Sequence, residues 1–203
     1  MSHDDELTHG PLTGTCRHLC VDMQRLFAED TDWFTPWMAH VLPNARRIVE
    51  AHPAETVFTR FVPAERPGEG FGTWKRYYER WASMTLERLG REMIDLVPDL
   101  ARFVPPAEIV DKRVYSPWFD TDLHERLQGR GVDTLVVTGG ESDVCVLGTV
   151  LGAIDRGYRV VLATDALCSS SDATHDALLA LYRNRFSQQI ETASSETILA
   201  RWD

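Results

Sequence analysis

The sequence predicts an α/β fold, a mostly parallel sheet with helices on both faces, on three observations. Short apolar runs alternate regularly with stretches of helical periodicity. Proline, threonine and glycine punctuate the helical stretches where starts and stops belong. Asp22, Lys112 and Cys145 stand at or just beyond the carboxyl ends of apolar runs, where open parallel sheets bind ligands.

The elements follow in order. Residues 1–15 are polar, with Gly10, Pro11 and Gly14, and read as a flexible arm before a single domain over 16–203. Arg17 to Val21 is the first strand and delivers Asp22. Pro43 opens a helix to His52, and Glu55 to Thr59 is the second strand. A Pro- and Gly-rich loop runs from Pro63 to Gly72, after which Thr73 caps one long helix to Gly90. On its single aromatic face stand Trp74, Tyr77, Tyr78, Trp81 and Thr85, a spacing read as packing against the core or a second subunit rather than as a ligand box.

Glu108 to Asp111 is the third strand, delivering Lys112, and Asp120 to Gly129 a helix. Asp133 to Thr138 is the fourth strand, and Val144 to Arg156 the helix that carries Cys145. Arg159 to Thr164, Ala173 to Arg185 and Phe186 to Thr192 complete the series as strand, helix and strand.

Bulk properties exclude several classes of function. The net charge of -10, with 21 basic residues of which only Lys75 and Lys112 are lysines, argues against nucleic acid as a partner. No apolar run approaches the ~20 residues that span a bilayer, and the start of the chain lacks a basic, then apolar, signal region, so a cytoplasmic protein without a membrane partner is expected. Cys16, Cys20, Cys145 and Cys168 lack the paired spacing of a zinc site, and a chain of 203 residues folds without disulfides.

Cys145 carries the most chemical information. The fourth strand breaks on Gly139 and Gly140, and the chain turns through Glu141, Ser142 and Asp143 into a helix beginning near Val144. A thiol at a helix N-terminus meets unpaired N–H groups and the positive end of the dipole, which lower a thiol pKa and can hold an acyl oxyanion. The segment alone fits equally well a small buried hydrophobe, and the glycines a simple sharp turn. Asp22 and Lys112 at the same rim add a carboxylate to accept the thiol proton and an ammonium to hold charge.

These segments together, Val21-Asp22-Met23-Gln24, Val110-Asp111-Lys112-Arg113-Val114-Tyr115-Ser116 and Gly140-Glu141-Ser142-Asp143-Val144-Cys145-Val146, with Gly157-Tyr158-Arg159-Val160-Val161 and Thr164-Asp165-Ala166 downstream, resemble the isochorismatase-like cysteine hydrolases. The resemblance runs from about Arg17 to Thr192. It implies a three-layer Rossmann-like fold, a homo-oligomer such as a dimer or tetramer, and an Asp22, Lys112 and Cys145 catalytic triad. It further implies a cis peptide at Gly140–Glu141, with the N–H groups of Glu141 and Cys145 as the oxyanion site.

The amidase branch of that family includes nicotinamidases, carbamoylsarcosine amidases, and ureidoacrylate, maleamate and biuret hydrolases. Retention of Cys145 points to this branch, hence to a cysteine amidohydrolase cleaving a C–N bond of a small amide, ureide or carbamoyl compound through a thioester. Nicotinamidases carry a histidine-rich metal site after the second strand. The corresponding residues 59–66 here hold no histidine, so neither metal nor other cofactor is expected. His18, His40, His52, His124 and His175 are read as structural or exposed.

Gln24, Trp33, Phe34, Arg60, Tyr115 and Trp118 occupy positions where the family lines its pocket and are the expected substrate contacts. Arg60 alternatively pairs with an acidic neighbour. If Glu141 points inward, a cationic or urea-like substrate suits it better than a carboxylate. Three alternatives stay open: a vinyl-ether hydrolase using Asp22 as acid, a binding subunit that has lost catalysis, and a redox sensor pairing Cys145 with Cys168.

Overall fold

The computed structural model describes residues 7–203. Six strands form one parallel sheet: β1 (Cys16–Val21), β2 (Thr56–Phe61), β3 (Glu108–Lys112), β4 (Thr134–Gly140), β5 (Arg159–Cys168) and β6 (Ile190–Ala193), in the spatial order β3-β2-β1-β4-β5-β6. The chain lays down β1, β2 and β3 in one direction and then returns to the other side of β1 for β4. The strand order therefore reverses between β1 and β4, whose Cys16–Val21 and Thr134–Gly139 pair residue for residue. At such a reversal the crossovers diverge and leave a crevice at the carboxyl ends.

Nine helices accompany the sheet among the described residues: α1 (Arg25–Ala28), α2 (Met38–Ala51), α3 (Trp74–Arg80), α4 (Leu86–Leu89), α5 (Pro98–Ala101), α6 (Leu123–Gly129), α7 (Cys145–Ile154), α8 (Asp172–Arg185) and α9 (Ser195–Ala200). Strand alternation sorts the core into two layers. Cys20, Phe58, Val136 and Val161 face α2 and α9, with Met38, Ala45, Ile48 and Ile198. Leu19, Val57, Leu135, Val137 and Val160 face α6, α7 and α8, with Leu127, Val150 and Tyr182. Both faces of the strands are apolar because both are covered.

Several boundaries differ from expectation. α2 begins at Met38, five residues before Pro43. Its buried Met38, Val41, Ala45, Ile48 and Val49 form one stripe, and packing of that stripe outweighs the hydrogen bond that Pro43 cannot make. The long helix after Thr73 breaks into α3, a 3-10 turn at Ala82–Met84 and α4. The break follows because Leu86 and Glu87 N–H donate to the carbonyls of Ala64 and Glu65 at 3.0 Å each, which binds the segment to the preceding loop.

The N-terminal arm lies draped along the domain where it is described. Residues 1–6 of it lie outside the described residues. Leu12 is buried, its N–H donates to the Arg201 carbonyl at 2.8 Å and its carbonyl accepts from Asp203, so this part of the arm is fastened to the C-terminus. Leu7 and Leu12, isolated in a polar segment, gave little signal for that docking.

His18 threads a polar link through the sheet. Its ring nitrogens lie 3.2 Å from Thr56 Oγ1 on β2 and 2.8 Å from Thr138 Oγ1 on β4. Complete burial, reinforced by nearby His52, lowers its pKa from 6.5 to about 3. The folded state therefore holds His18 neutral while the unfolded chain protonates near 6.5. Stability from this group is complete above pH 6.5 and is lost as pH falls from 6.5 toward 3. Thermal melting should show a declining midpoint between pH 6.5 and 5, above the carboxylate range, and His18→Asn should flatten that slope.

Candidate active site

Three strand ends bring the chemically active side chains together. Asp22 follows β1 with φ of 51°, a left-handed conformation that aspartate tolerates better than most residues. Two bonds hold it there: its N–H donates to the Thr59 carbonyl at 3.2 Å, and Thr59 Oγ1 donates to Asp22 Oδ1 at 2.6 Å. Lys112 ends β3, two strands away, and its side chain reaches across the end of β2. Its Nζ lies 2.7 Å from Asp22 Oδ2, 3.3 Å from Cys145 Sγ and 3.2 Å from the Val114 carbonyl. The Phe61 ring packs beneath the ammonium at 5.1 Å.

Cys145 is the first residue of α7, so its N–H lacks an acceptor within the helix. The turn that delivers it depends on close backbone approach. Gly139 has φ of 102°, and a methyl group there would run into the Val21 backbone of β1. The Gly140–Glu141 peptide is cis. The Glu141 carbonyl then accepts from Val144 and Val146, at 3.1 and 3.0 Å, which curls the loop into the helix.

The electrostatics differ from the sequence reading. Burial pushes the Cys145 thiol well above its ordinary pKa; Lys112 pulls it down, and Asp22 pushes it up again. Burial also disfavours the Lys112 ammonium, yet Asp22 and Cys145 more than offset this and raise its pKa. The physical balance is simple: Asp22 already neutralises Lys112, so a thiolate would leave a net negative charge in a buried site. Burial and the Asp22 charge thus oppose the lowering of the thiol pKa that a helix N-terminus alone would give.

A cavity of about 240 Å³ opens onto Cys145. This is below the ~300–1,000 Å³ of pockets for drug-sized ligands. Phe27, Trp33, Phe34, Phe61, Tyr77, Trp81 and Tyr115 form most of its wall, with Asp32, Glu141, Val144 and Ser170 beside them. Burial raises the phenol pKa values of Tyr77 and Tyr115, which keeps both rings neutral. Glu141 lines the cavity, and its Oε1 accepts from Thr35 Oγ1 and the Ser170 N–H, both at 3.2 Å.

Of the six expected substrate contacts, Trp33, Phe34 and Tyr115 line this cavity and three do not. Gln24 is fully buried and acts as a backbone clamp: its amide donates to the Phe61 and Ile94 carbonyls at 3.0 and 2.7 Å and accepts from Phe61 N–H at 2.7 Å. Arg60 follows Thr59 and precedes Phe61 on β2, so alternation turns it away from the cavity. It forms a two-pronged pair with Asp111, its register partner on β3, at 2.7 and 2.9 Å. Trp118 packs over Gly152, stacks on Tyr158 at 5.7 Å and donates to the Thr149 carbonyl at 2.8 Å.

The sequence reading missed Tyr77 and Trp81 as lining residues. Their spacing of four was visible, but helical periodicity does not say what the stripe faces. Phe61 was hidden because the second strand runs two residues past Thr59. Among the described residues no group of three or more His, Cys, Asp or Glu is placed to hold a metal ion, and no helix is long and apolar enough to cross a membrane.

The parallel α/β sheet and the domain that the chain matches define a hydrolase. Residues 16–194 match the isochorismatase domain, and the chain belongs to the isochorismatase family. The uncharacterized isochorismatase family protein YwoC of Bacillus subtilis is 30% identical over 145 residues, covering 68% of this chain and 72% of that protein. Among solved structures, a cysteine hydrolase from Pseudomonas syringae pv. phaseolicola superposes with a TM-score of 0.79 at 23% identity, covering 92% of each chain. N-carbamoylsarcosine amidase from Thermoplasma acidophilum gives 0.72 at 20% identity, covering 89% of this chain and 96% of that one.

The ion pair makes a test of the thiol's state. In Asp22→Asn, the Lys112 ammonium loses its counter-charge and should draw the Cys145 proton off. Iodoacetamide alkylation near pH 7.5, followed by mass spectrometry, should be faster at Cys145 in Asp22→Asn than in the native protein. Equal or slower alkylation would contradict the charge balance drawn above.

Proposed function

We propose that the protein is a metal-independent cysteine amidohydrolase that cleaves a C–N bond of a small amide, ureide or carbamoyl compound through a thioester. The observation that carries this reading is the contact among Lys112, Asp22 and Cys145 at the floor of a small, aromatic-walled cavity. Thr59 donates to Asp22 Oδ1, while Oδ2 lies 2.7 Å from the Lys112 ammonium that also contacts Cys145 Sγ at 3.3 Å. That oxygen is the site for a proton.

The reaction runs in two halves. Asp22 takes the thiol proton as Cys145 Sγ attacks the amide carbonyl carbon. The oxyanion is held by the N–H groups of Cys145 and Glu141, and one such donor typically contributes about 3–4 kcal/mol to the transition state. Collapse breaks the C–N bond, and Asp22 returns its proton to the departing ammonia or amine. Water then attacks the thioester with Asp22 again as base, releasing the carboxylic acid and restoring the thiol. Lys112 remains charged throughout and balances whichever neighbour is negative.

Ammonia release by metal-free protein across small amides, ureides and carbamoyl compounds tests the reading. Cys145→Ala should lose at least about a thousandfold in turnover, because no other nucleophile touches the cavity floor. Intact-mass analysis of a rapidly quenched reaction should show an acyl adduct on Cys145. Ammonia release retained in Cys145→Ala would contradict the thioester route, whereas cleavage of a vinyl ether unchanged in Cys145→Ala would identify the acid-catalysed branch.

A further inference from the structure

The cavity above Cys145 has an unusual balance of charge. Its lining contains two carboxylates, Asp32 and Glu141, and no basic side chain. The nearest cation beneath it, Lys112, is neutralised by Asp22 at 2.7 Å. Arg80, which does not line the cavity, lies over the Trp81 ring at 5.1 Å. An anionic ligand would enter against both carboxylates without a partner of its own.

The remaining wall is aromatic: Trp33 stacks on Phe27 at 6.1 Å and 19°, and other rings meet it at steeper angles. Trp33 is the hub, with its centroid 5.8 Å from Tyr77 at 40° and 6.2 Å from Trp81 at 69°. Tyr77 in turn meets Tyr115 at 6.4 Å and 80°. Phe27 covers one face of Trp33 and Arg80 one face of Trp81, and the rings meet the cavity with the surface that this packing leaves open. The face of such a ring attracts cations, most strongly where water is excluded.

The carboxylates narrow the kind of cation. Glu141 Oε1 is engaged by Thr35 and Ser170, and Asp32 accepts from Ser83. A guanidinium or primary ammonium brings several N–H donors to a wall of carbon, where most would go unmatched. A methylated ammonium has no donor to satisfy and needs only ring faces and a nearby negative charge.

Resting on the amidase reading of this same cavity, we infer that the substrate carries a quaternary ammonium group. The group sits in the aromatic-walled cavity, which serves as a cation box, with Asp32 and Glu141 as counter-charges and the amide carbonyl toward Cys145. Hydrolysis adds water across the C–N bond and releases ammonia and a trimethylammonio acid, a zwitterion.

Three amides of matched size separate charge from shape: trimethylammonioacetamide, its neutral isostere 3,3-dimethylbutanamide, and the anionic malonamate. The expected result is kcat/KM at least about tenfold higher for the cation than for the isostere, with malonamate poorest. Asp32→Asn, at an exposed side chain, should narrow that ratio. Equal or better turnover of the neutral or anionic amide would overturn the inference while leaving the amidase intact.

Calorimetric titration with tetramethylammonium gives a readout independent of turnover. Saturable binding, weakened in Asp32→Asn and in Trp81→Leu, supports the cation box even if no amide is hydrolysed, an outcome that would remove the amidase reading alone. No tetramethylammonium binding together with no preference for the cationic amide overturns it.

Discussion

The buried pair of Lys112 and Asp22 is the constraint around which the rest of the molecule is arranged. Both side chains are shut off from water, with 0% exposure. Removing two charges from water costs several kcal/mol each, and only close geometry with further polar partners offsets that. The fold supplies those partners: Thr59 for the carboxylate, the Val114 carbonyl and the Phe61 ring for the ammonium. Three parallel strands, β1, β2 and β3, must end in register for this to occur. The same pair frames the site, because a lysine already balanced by Asp22 brings Cys145 less net positive charge than an unpaired lysine would.

Family membership and the cavity wall answer different questions. The isochorismatase family accounts for the sheet, the strand reversal and the position of the thiol. The wall comes from elsewhere: Phe27 and Trp33 follow β1, Tyr77 and Trp81 follow β2, and Tyr115 follows β3. Loops on a rigid sheet are free to vary, so the specificity of this chain is written in them.

The residues legible in the sequence were those governed by local rules. Asp22, Lys112 and Cys145 could be placed because a strand end is a local feature and parallel sheets gather such ends at one rim. Gln24, Arg60 and Trp118 sit beside the same ends, yet point elsewhere. Arg60 is turned by alternation and captured by its register partner Asp111, Gln24 substitutes for a missing strand partner, and Trp118 fills the space that Gly152 leaves. Each outcome depends on a residue distant in sequence. The burial that raises the thiol pKa was not readable for the same reason, since a helix N-terminus is local and burial beside an ion pair is not.

By itself, the sequence determined the alternation of strands and helices, the parallel sheet with both faces covered, and the three reactive groups at its carboxyl rim. Hydrophobic period, turn chemistry and strand polarity are carried by neighbouring residues. The tertiary structure alone decided which aromatic side chains face the thiol, which carboxylates join them and which state the thiol rests in. Those properties arise from burial and from contacts between loops tens of residues apart, and a cavity exists only once its walls have met.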